Sequence, residues 1–493
     1  MKIAFIQSEM REFFSFMLMS AKLKQAGHEV EVFIFKNKFE LLASLQDGIL
    51  KNFDIFGFSS TTISFENDYD YAKSIKRQYH NSFIVFGGAH PTYNPEQVIN
   101  NDCIGAVCIG EGIDAIVELV NKREETKIGY KCPTDIKNIW FKDYSTELEP
   151  IQDISLDKSF YECFLYKNKI NTIKNPIRSI SNIDEWTRPD YALYYDKYEE
   201  LRNKPTKPAY IVRGCFFNCS FCYNPAYNKM YKGNKIFQCM DVDKAISEIK
   251  WLKDTYGFIY LQFLSDNMTI DKKWLKKFLV KYKKEIKKPF FMNCRANQID
   301  KEIVGLLKDA GCDRVDFGVE HGNNFIRNDI LQRNMSKEQI INCGKWFKEV
   351  GIRVQTTNIF GLPYEDFNKA WETVELNRQF TPEITKACIL QPFENTEIYN
   401  YAKENNLLKD NLKYSGTTYQ IGVKDNRSDQ TNIKVKNEKQ IIRLSYLLDF
   451  FVKYNFIPKW MGFIICSLPL NRLYKKYYVG IFKKHGLKYK GIK

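Results

Sequence analysis

Residues 1–120 alternate short apolar runs with stretches of helical periodicity. "KIAFIQ", "EVEVFIF", "FDIFGFSSTT", "SFIVFGG" and "AVCIGEG" read as strands, mostly continuous in apolar residues, as strands covered on both faces are. Between them, "SFMLMSAKLKQAGHEV" and "FENDYDYAKSIKRQY" carry apolar residues at helical spacing. This alternation predicts an α/β, doubly wound, Rossmann-like sheet whose ligand sits beyond the carboxyl ends of the strands. Those ends hold Ser59, Ser60, Thr61 and Thr62, then "GGAHPT" with Gly87, Gly88 and His90, then Gly110, Glu111 and Gly112. Small and hydroxyl residues at three strand ends let a large ligand approach the backbone and offer hydrogen bonds to its rim. The plainer reading is that they are turn formers, which βα loops need anyway.

Beyond residue 121 the pattern fades. "KNIWFKDYSTELEPI" reads as a hairpin and "NIDEWTRPDYALYY" as an extended connector pinned by Pro189. A second alternation then begins. "AYIVRG", "FIYLQFLSDN", "PFFMNCRANQID", "DRVDFGVEHGN" and "RVQTTNIFGLP" are strands separated by helical patterns such as "KEIVGLLKDAG" and "SKEQIINCGKWFKEVG". Repeated βα units predict a barrel or partial barrel. The expected organisation is a doubly wound domain over 1–125, a linker over 126–206, a barrel over 207–405, and a mainly helical region over 406–493.

Composition changes the picture in two places. With 44% hydrophobic and 27% charged residues, 493 residues bury more than one ordinary core. Thirteen cysteines, scattered except for one cluster, argue against a disulfide scaffold and fit a reducing, cytoplasmic setting. The start shows no signal-peptide pattern, and no apolar run is long enough to span a bilayer. The net charge of +15 is uneven: from Asn432 to Lys493 there are fourteen Lys and Arg against two acids. A basic tail on a nearly neutral body suggests a local surface contact.

The cysteine cluster is "RGCFFNCSFCYNP", with Cys215, Cys219 and Cys222. A structural zinc site takes four protein ligands, yet none of the five histidines lies near Cys215. A four-iron cluster takes one thiolate per iron, so three cysteines leave one iron open for chemistry. C-x-x-x-C-x-x-C after a strand, with Phe221 before the last cysteine, resembles the signature of the radical S-adenosylmethionine (SAM) superfamily. The resemblance implies a [4Fe-4S] cluster, SAM chelated to its open iron, and reductive cleavage to a 5'-deoxyadenosyl radical. It also implies a partial (β/α)6 barrel.

Further positions carry over by resemblance. Ser265 and Asp266 resemble the turn that holds the SAM amino group. Arg295 in "NCRAN" and Glu320 in "GVEHGN" resemble strand-end residues lining the SAM site, Glu320 toward the ribose. Arg333 in "ILQRNMS" resembles the residue reaching the SAM carboxylate, and Gly361 in "NIFGLPYED" the segment backing the adenine. Where the group usually reads Pro-Gly-Thr, this chain has Glu394-Asn395-Thr396. For Glu320, Arg295 and Arg333 the alternative is a structural salt bridge.

A doubly wound domain ahead of such a barrel is similar to the cobalamin-binding subgroup of these enzymes, over about residues 1–405. The D-x-H-x-x-G motif that supplies a histidine to cobalt elsewhere is absent. That implies cobalamin without a histidine ligand, and leaves His90 a residue of the binding loop. The function implied is methyl transfer to an unactivated carbon or phosphorus centre, with 5'-deoxyadenosine and S-adenosylhomocysteine as SAM-derived products. The alternatives are a non-methylating cyclisation, oxidation or rearrangement, and a non-enzymatic iron–sulfur redox protein. The expected partners are a small-molecule or lipid substrate and a one-electron donor of flavodoxin or ferredoxin type. The tail, with "IPKWMGFIICSLPLNRLYKKYYVG", either packs as an ordinary helical subdomain or lies at an anionic membrane interface. Nucleic acid is the weaker partner, since no recognised module accompanies the charge.

Overall fold

The computed structural model describes residues 1–125, 135–143, 171–414 and 430–488, and the expected hairpin beyond Asp143 lies outside them. The chain forms two compact units, Met1–Ser181 with Glu185–Asn203, and Asn182–Asp184 with Lys204–Lys493.

The first unit is a seven-stranded sheet in the order β2-β1-β3-β4-β5-β6-β7. Its parallel part comprises β1 (Lys2–Gln7), β2 (Glu29–Ile34), β3 (Ile55–Ser59), β4 (Phe83–Gly87) and β5 (Ala106–Cys108). Ile3 to Ile6, Phe56, Phe58 and Ile84 to Phe86 are buried in these strands, so both faces are covered as their apolar runs require. The order reverses between β1 and β3, which opens a crevice at the carboxyl ends there. β6 (Ile139–Asp143) and β7 (Asn171–Lys174) extend the sheet in antiparallel fashion. The chain after them is held to the same unit by tyrosine hydroxyls. Tyr194 donates to Gln7 Oε1 at 2.6 Å, Tyr195 to Glu12 Oε1 at 2.9 Å, and Tyr198 to the Val32 carbonyl at 3.2 Å.

The second unit is built on six parallel strands in the order β15-β14-β13-β12-β11-β8. These are β8 (Thr206–Ala209), β11 (Tyr260–Phe263), β12 (Phe290–Cys294), β13 (Cys312–Glu320), β14 (Arg353–Phe360) and β15 (Ile384–Ile389). β9 (Val212–Arg213) and β10 (Gln238–Cys239) make a separate antiparallel pair. The six strands form an open, partial barrel, because β8 and β15 remain edges. Side chains alternate along β13: Val315, Phe317 and Val319 are buried, while Arg314, Asp316, Gly318 and Glu320 occupy the other face. The helices start where their caps dictate, with Asp271, Asp300 and Asp366 accepting from first-turn amides and Ser336 forming a capping box with Gln339.

The C-terminal region covers the β15 edge. Helix Glu438–Lys453 packs on it, and Asp449 Oδ1 accepts the Thr385 amide at 3.0 Å. Arg378 clamps the end of that helix by donating to the carbonyls of Phe451 and Ile457. Among the described residues, no helix is long and apolar enough to cross a membrane.

Candidate functional site

The cysteine loop leaves β9 at Gly214, whose φ of +80° and approach to Ile236 exclude a side chain: a Cβ there would lie 2.4 Å from the Ile236 carbonyl oxygen. The Gly214 amide donates to Asp266 Oδ2 at 2.8 Å, which ties the loop to the turn after β11. Ser220 fixes the middle, donating to the Ile330 carbonyl at 2.6 Å. Phe221 packs against the apolar cluster of Ile326, Ile330, Leu331 and Ile398.

Two arginines meet at one thiol. Arg295 Nη1 lies 3.3 Å and Arg333 Nη1 3.4 Å from Cys219 Sγ. The Arg295 guanidinium stands 3.9 Å over the Phe217 ring, donates to Asn297 Oδ1 at 3.1 Å, and donates to the Arg333 carbonyl. Arg333 also donates to the Gly318 carbonyl at 2.9 Å and lies 3.7 Å from Glu320. Burial pushes the Glu320 carboxyl up to about 7, against the pull of Arg333. Glu320 holds a left-handed φ of +59°, a strained value for a residue with a side chain. Gly318 makes room for this group, since a Cβ there would lie 1.8 Å from Glu320 Oε1.

Burial raises the thiols of Cys215 and Cys222, the latter to about 12, so ligation to metal would release protons from them. Among the described residues, no three His, Cys, Asp or Glu side chains are grouped to hold one metal ion. A [4Fe-4S] cluster does not need such convergence, since each thiolate binds a different iron. Among the described residues, polar atoms beside the loop that are buried without a hydrogen-bond partner include Ser265 Oγ and Arg333 Nε. They leave hydrogen bonds for a bound ligand, so the residues fit a cluster and a polar co-ligand.

Gly361, at φ +75°, ends β14 in a turn held from one side by a buried carboxylate. Glu365 Oε2 accepts the amides of Gly361 at 2.5 Å and Leu362 at 2.9 Å, while its Oε1 lies 2.9 Å from His321 Nε2. His321 Nδ1 accepts the Asn323 amide at 3.1 Å, so the proton sits on Nε2 and is donated to Glu365. Asn395 takes a left-handed φ of +67°, the conformation a glycine would supply there, and Thr396 caps the following helix. The departure from Pro-Gly-Thr thus leaves the backbone geometry available.

On the face of the barrel sheet opposite Val315 and Phe317, Asp316 is buried, accepts from Gln355 Nε2 and lies 3.6 Å from Lys386 Nζ. Burial pulls the Lys386 ammonium below its usual range. This polar group can bind a charged or hydrogen-bonding ligand.

In the first unit, the three strand ends come together. The Ser60 amide donates to the Gly87 carbonyl at 2.8 Å, and the His90 amide to the Ser60 carbonyl at 3.0 Å. Gly88, at φ +97°, lies so close that a Cβ would be 2.8 Å from Ser60 N. Gly110 donates to Thr92 Oγ1 at 3.0 Å. Thr61 and Ser64 bond to each other across the turn after β3. His90 is buried against the Phe65 ring, with Nδ1 3.3 Å from Thr62 Oγ1, and Nε2 is buried with no hydrogen-bond partner among the described residues. Burial pulls the imidazole down to about 4, so it is neutral at physiological pH. Glycine-rich loops of this kind, with a buried imidazole nitrogen beside them, fit a large flat ligand laid on backbone. Glu111 stands apart, because its carboxylate accepts the Ser181 amide at 2.8 Å and the Ser181 hydroxyl. Gly112 packs beside Cys108 and Met19.

The radical SAM superfamily profile matches residues 210–376, and the B12 binding domain profile matches residues 14–120. The chain combines a radical SAM domain with a B12-binding domain, the pairing found in the cobalamin-binding radical SAM enzymes. The barrel thus works with a [4Fe-4S] cluster and SAM, and the first unit with cobalamin. An uncharacterised methyltransferase of Pyrococcus horikoshii is 28% identical over 73% of this chain and 72% of its own. Bacteriochlorophyllide d C-8(2)-methyltransferase of Chlorobaculum tepidum is 22% identical over 85% and 84%. Anaerobic magnesium-protoporphyrin IX monomethyl ester cyclase of Cereibacter sphaeroides is 22% identical, over 69% of this chain but 51% of its own. Among solved structures, the radical SAM methyltransferase TsrM of Kitasatospora setae superposes with a TM-score of 0.63 at 15% identity, covering 82% of this chain and 76% of that one. That likeness is one of fold.

Sequence reasoning missed three groups. Asp68 is buried, accepts the Ser60 hydroxyl at 2.7 Å and is pushed up to about 7 by burial. Its signal was available: it shares a helical face with Phe65, Ala72 and Ile75, where an apolar residue is expected. The His321–Glu365 pair and the Asp316–Gln355–Lys386 group join residues far apart in sequence, so no local pattern marks them.

Proposed function

We propose that this enzyme is a cobalamin-dependent methyltransferase that acts on an unactivated carbon or phosphorus centre of a small molecule. The observation that carries the reading is the presence, in one chain, of a three-cysteine loop with two arginines at Cys219 and of a B12-binding domain. When bound, the cluster and SAM supply one-electron cleavage of the sulfonium, and cobalamin supplies a methyl carrier.

The chain's own residues bind and orient. Cys215, Cys219 and Cys222 hold the cluster. Arg295 and Arg333 place positive charge and N–H donors at the Cys219 sulfur, which favours the reduced cluster. Ser265 and Asp266 take the SAM amino group, Arg333 its carboxylate and Glu320 the ribose, with the Gly361 turn beside the adenine. Glu365 and His321 keep that turn in place. The Asp316–Gln355–Lys386 group receives the polar part of the substrate. Ser59 to Thr62, Gly87, Gly88, His90 and Gly110 cradle cobalamin through backbone and hydroxyl groups. Electrons come from a donor of flavodoxin or ferredoxin type.

The cyclase relative favours a second reading, ring formation without methyl transfer. Anaerobically reconstituted, reduced protein given SAM and candidate substrates separates the two. Methyl transfer yields both 5'-deoxyadenosine and S-adenosylhomocysteine, with the SAM methyl label in the product. Formation of 5'-deoxyadenosine alone, with no label transferred, overturns it in favour of the second.

A further inference from the structure

Among the described residues, nine of the twenty large apolar side chains that remain exposed fall between Tyr454 and Leu473. Phe456 is 76% exposed and Trp460 63%, with Ile464, Leu468 and Leu473 beside them in the chain. The helix Lys459–Ser467 explains why. Its inner side is Gly462 and Cys466, one turn apart, and Gly462 lies so close to Trp371 that a Cβ would meet that ring at 2.2 Å. Trp460 and Ile464, also one turn apart, lie on the side away from it. A helix that is apolar all round is normally buried all round. Here one side is seated on the unit's core and, among the described residues, the other has no cover.

Charge decides what covers it. Beyond Asp449 the chain has ten Lys and Arg and no acid. Asp449 is itself buried and engaged with Thr385 and Lys453. Lys453, Lys459, Arg472 and Lys476 flank the apolar side chains and are exposed. A second copy of the chain docking through the same surface would set cation against cation with no acid to offset it. A nucleic acid would satisfy the cations but leave Trp460, Ile464 and Leu468 against phosphate. An anionic bilayer suits both: the apolar and aromatic groups enter the headgroup–acyl boundary while the lysines meet lipid phosphates.

We propose that the surface formed by residues 454–473 docks this enzyme onto an anionic lipid bilayer. The docked helix lies in the interface and does not cross it. Such docking brings the barrel within reach of substrates that reside in lipid.

The test is flotation of the full-length, cofactor-loaded protein with phosphatidylcholine vesicles, with and without about one third phosphatidylglycerol. The protein is expected to float with the anionic vesicles, to float less as salt rises, and to stay largely unbound with phosphatidylcholine alone. Trp460→Ser/Ile464→Ser/Leu468→Ser is expected to lower the bound fraction of protein at least tenfold while keeping its iron and cobalamin content. Brominated lipid is expected to quench fluorescence of the parent protein and not of Trp460→Phe. Failure of the parent protein to float with anionic vesicles overturns the proposal. So does equal flotation of the triple variant. A parent dimer that the triple variant turns into a monomer, without vesicle binding by either, would assign the surface to self-association instead.

Discussion

The two cofactor regions are built from different materials. Around Cys219 the work falls to side chains of particular chemistry: one thiol, two guanidiniums and a buried carboxylate in a chain of contacts, with two further thiols in the same loop. Around Ser60 it falls to backbone, with Gly88 pressed on Ser60 and the strand ends held by amides and hydroxyls. Metal chemistry demands donor atoms of one kind at fixed spacing, whereas a large organic ring system demands shape. The first region should therefore fail when an atom is removed, the second when one is added.

The largest effect expected follows from Cys219→Ala. Loss of one thiolate removes an iron ligand and the anchor of both arginines, so cluster iron and SAM cleavage should fall to background. Cobalamin content, read from the visible spectrum, should persist. If iron stays stoichiometric in this variant, the contrast between the regions collapses.

Gly88→Val is the mirror experiment and the next in size. A side chain at φ +97° meets Ser60 and adds strain of about 1–3 kcal/mol, which corresponds to about a fivefold to 150-fold loss of cobalamin affinity. Cluster iron should be unchanged. Undiminished cobalamin binding would mean the ligand does not lie on this loop.

These contrasts also explain what was legible in the sequence. The spacing of Cys215, Cys219 and Cys222 could be read at once, because metal ligation restricts residue type and position together. Strand–helix alternation disclosed both α/β units, since a sheet covered on both faces leaves apolar runs. The strand-end loops were visible only as small residues, which serve turns as well as ligands, and Glu111 shows the difference: it lies in the expected loop yet binds Ser181. The pairing of His321 with Glu365 spans 44 residues and exists only in the fold. Likewise the β6 and β7 extension of the first sheet depends on partners that local pattern does not name.

The smallest effect expected concerns Asp68, which sharpens the picture of the backbone-built region. Its folded value of about 7 lies above the ordinary 3.8, so the native state holds a proton that the unfolded state has lost across that window. Stability contributed by the protonated form is complete below about pH 4 and is lost as pH rises through 7, at most on the order of 4 kcal/mol. Asp68→Asn should flatten this slope and narrow the gap in Tm between pH 5 and pH 8. An unchanged gap would mean the carboxylate is already charged in the folded protein at pH 5.

The most direct test of a chain that holds both cofactors is electron paramagnetic resonance of the anaerobically purified protein, first in the cob(II)alamin state and then reduced. The account predicts a base-off cobalt signal without nitrogen coupling, together with a reduced-cluster signal that changes when SAM is added. An intact cluster signal with no protein-bound cobalt signal would contradict it.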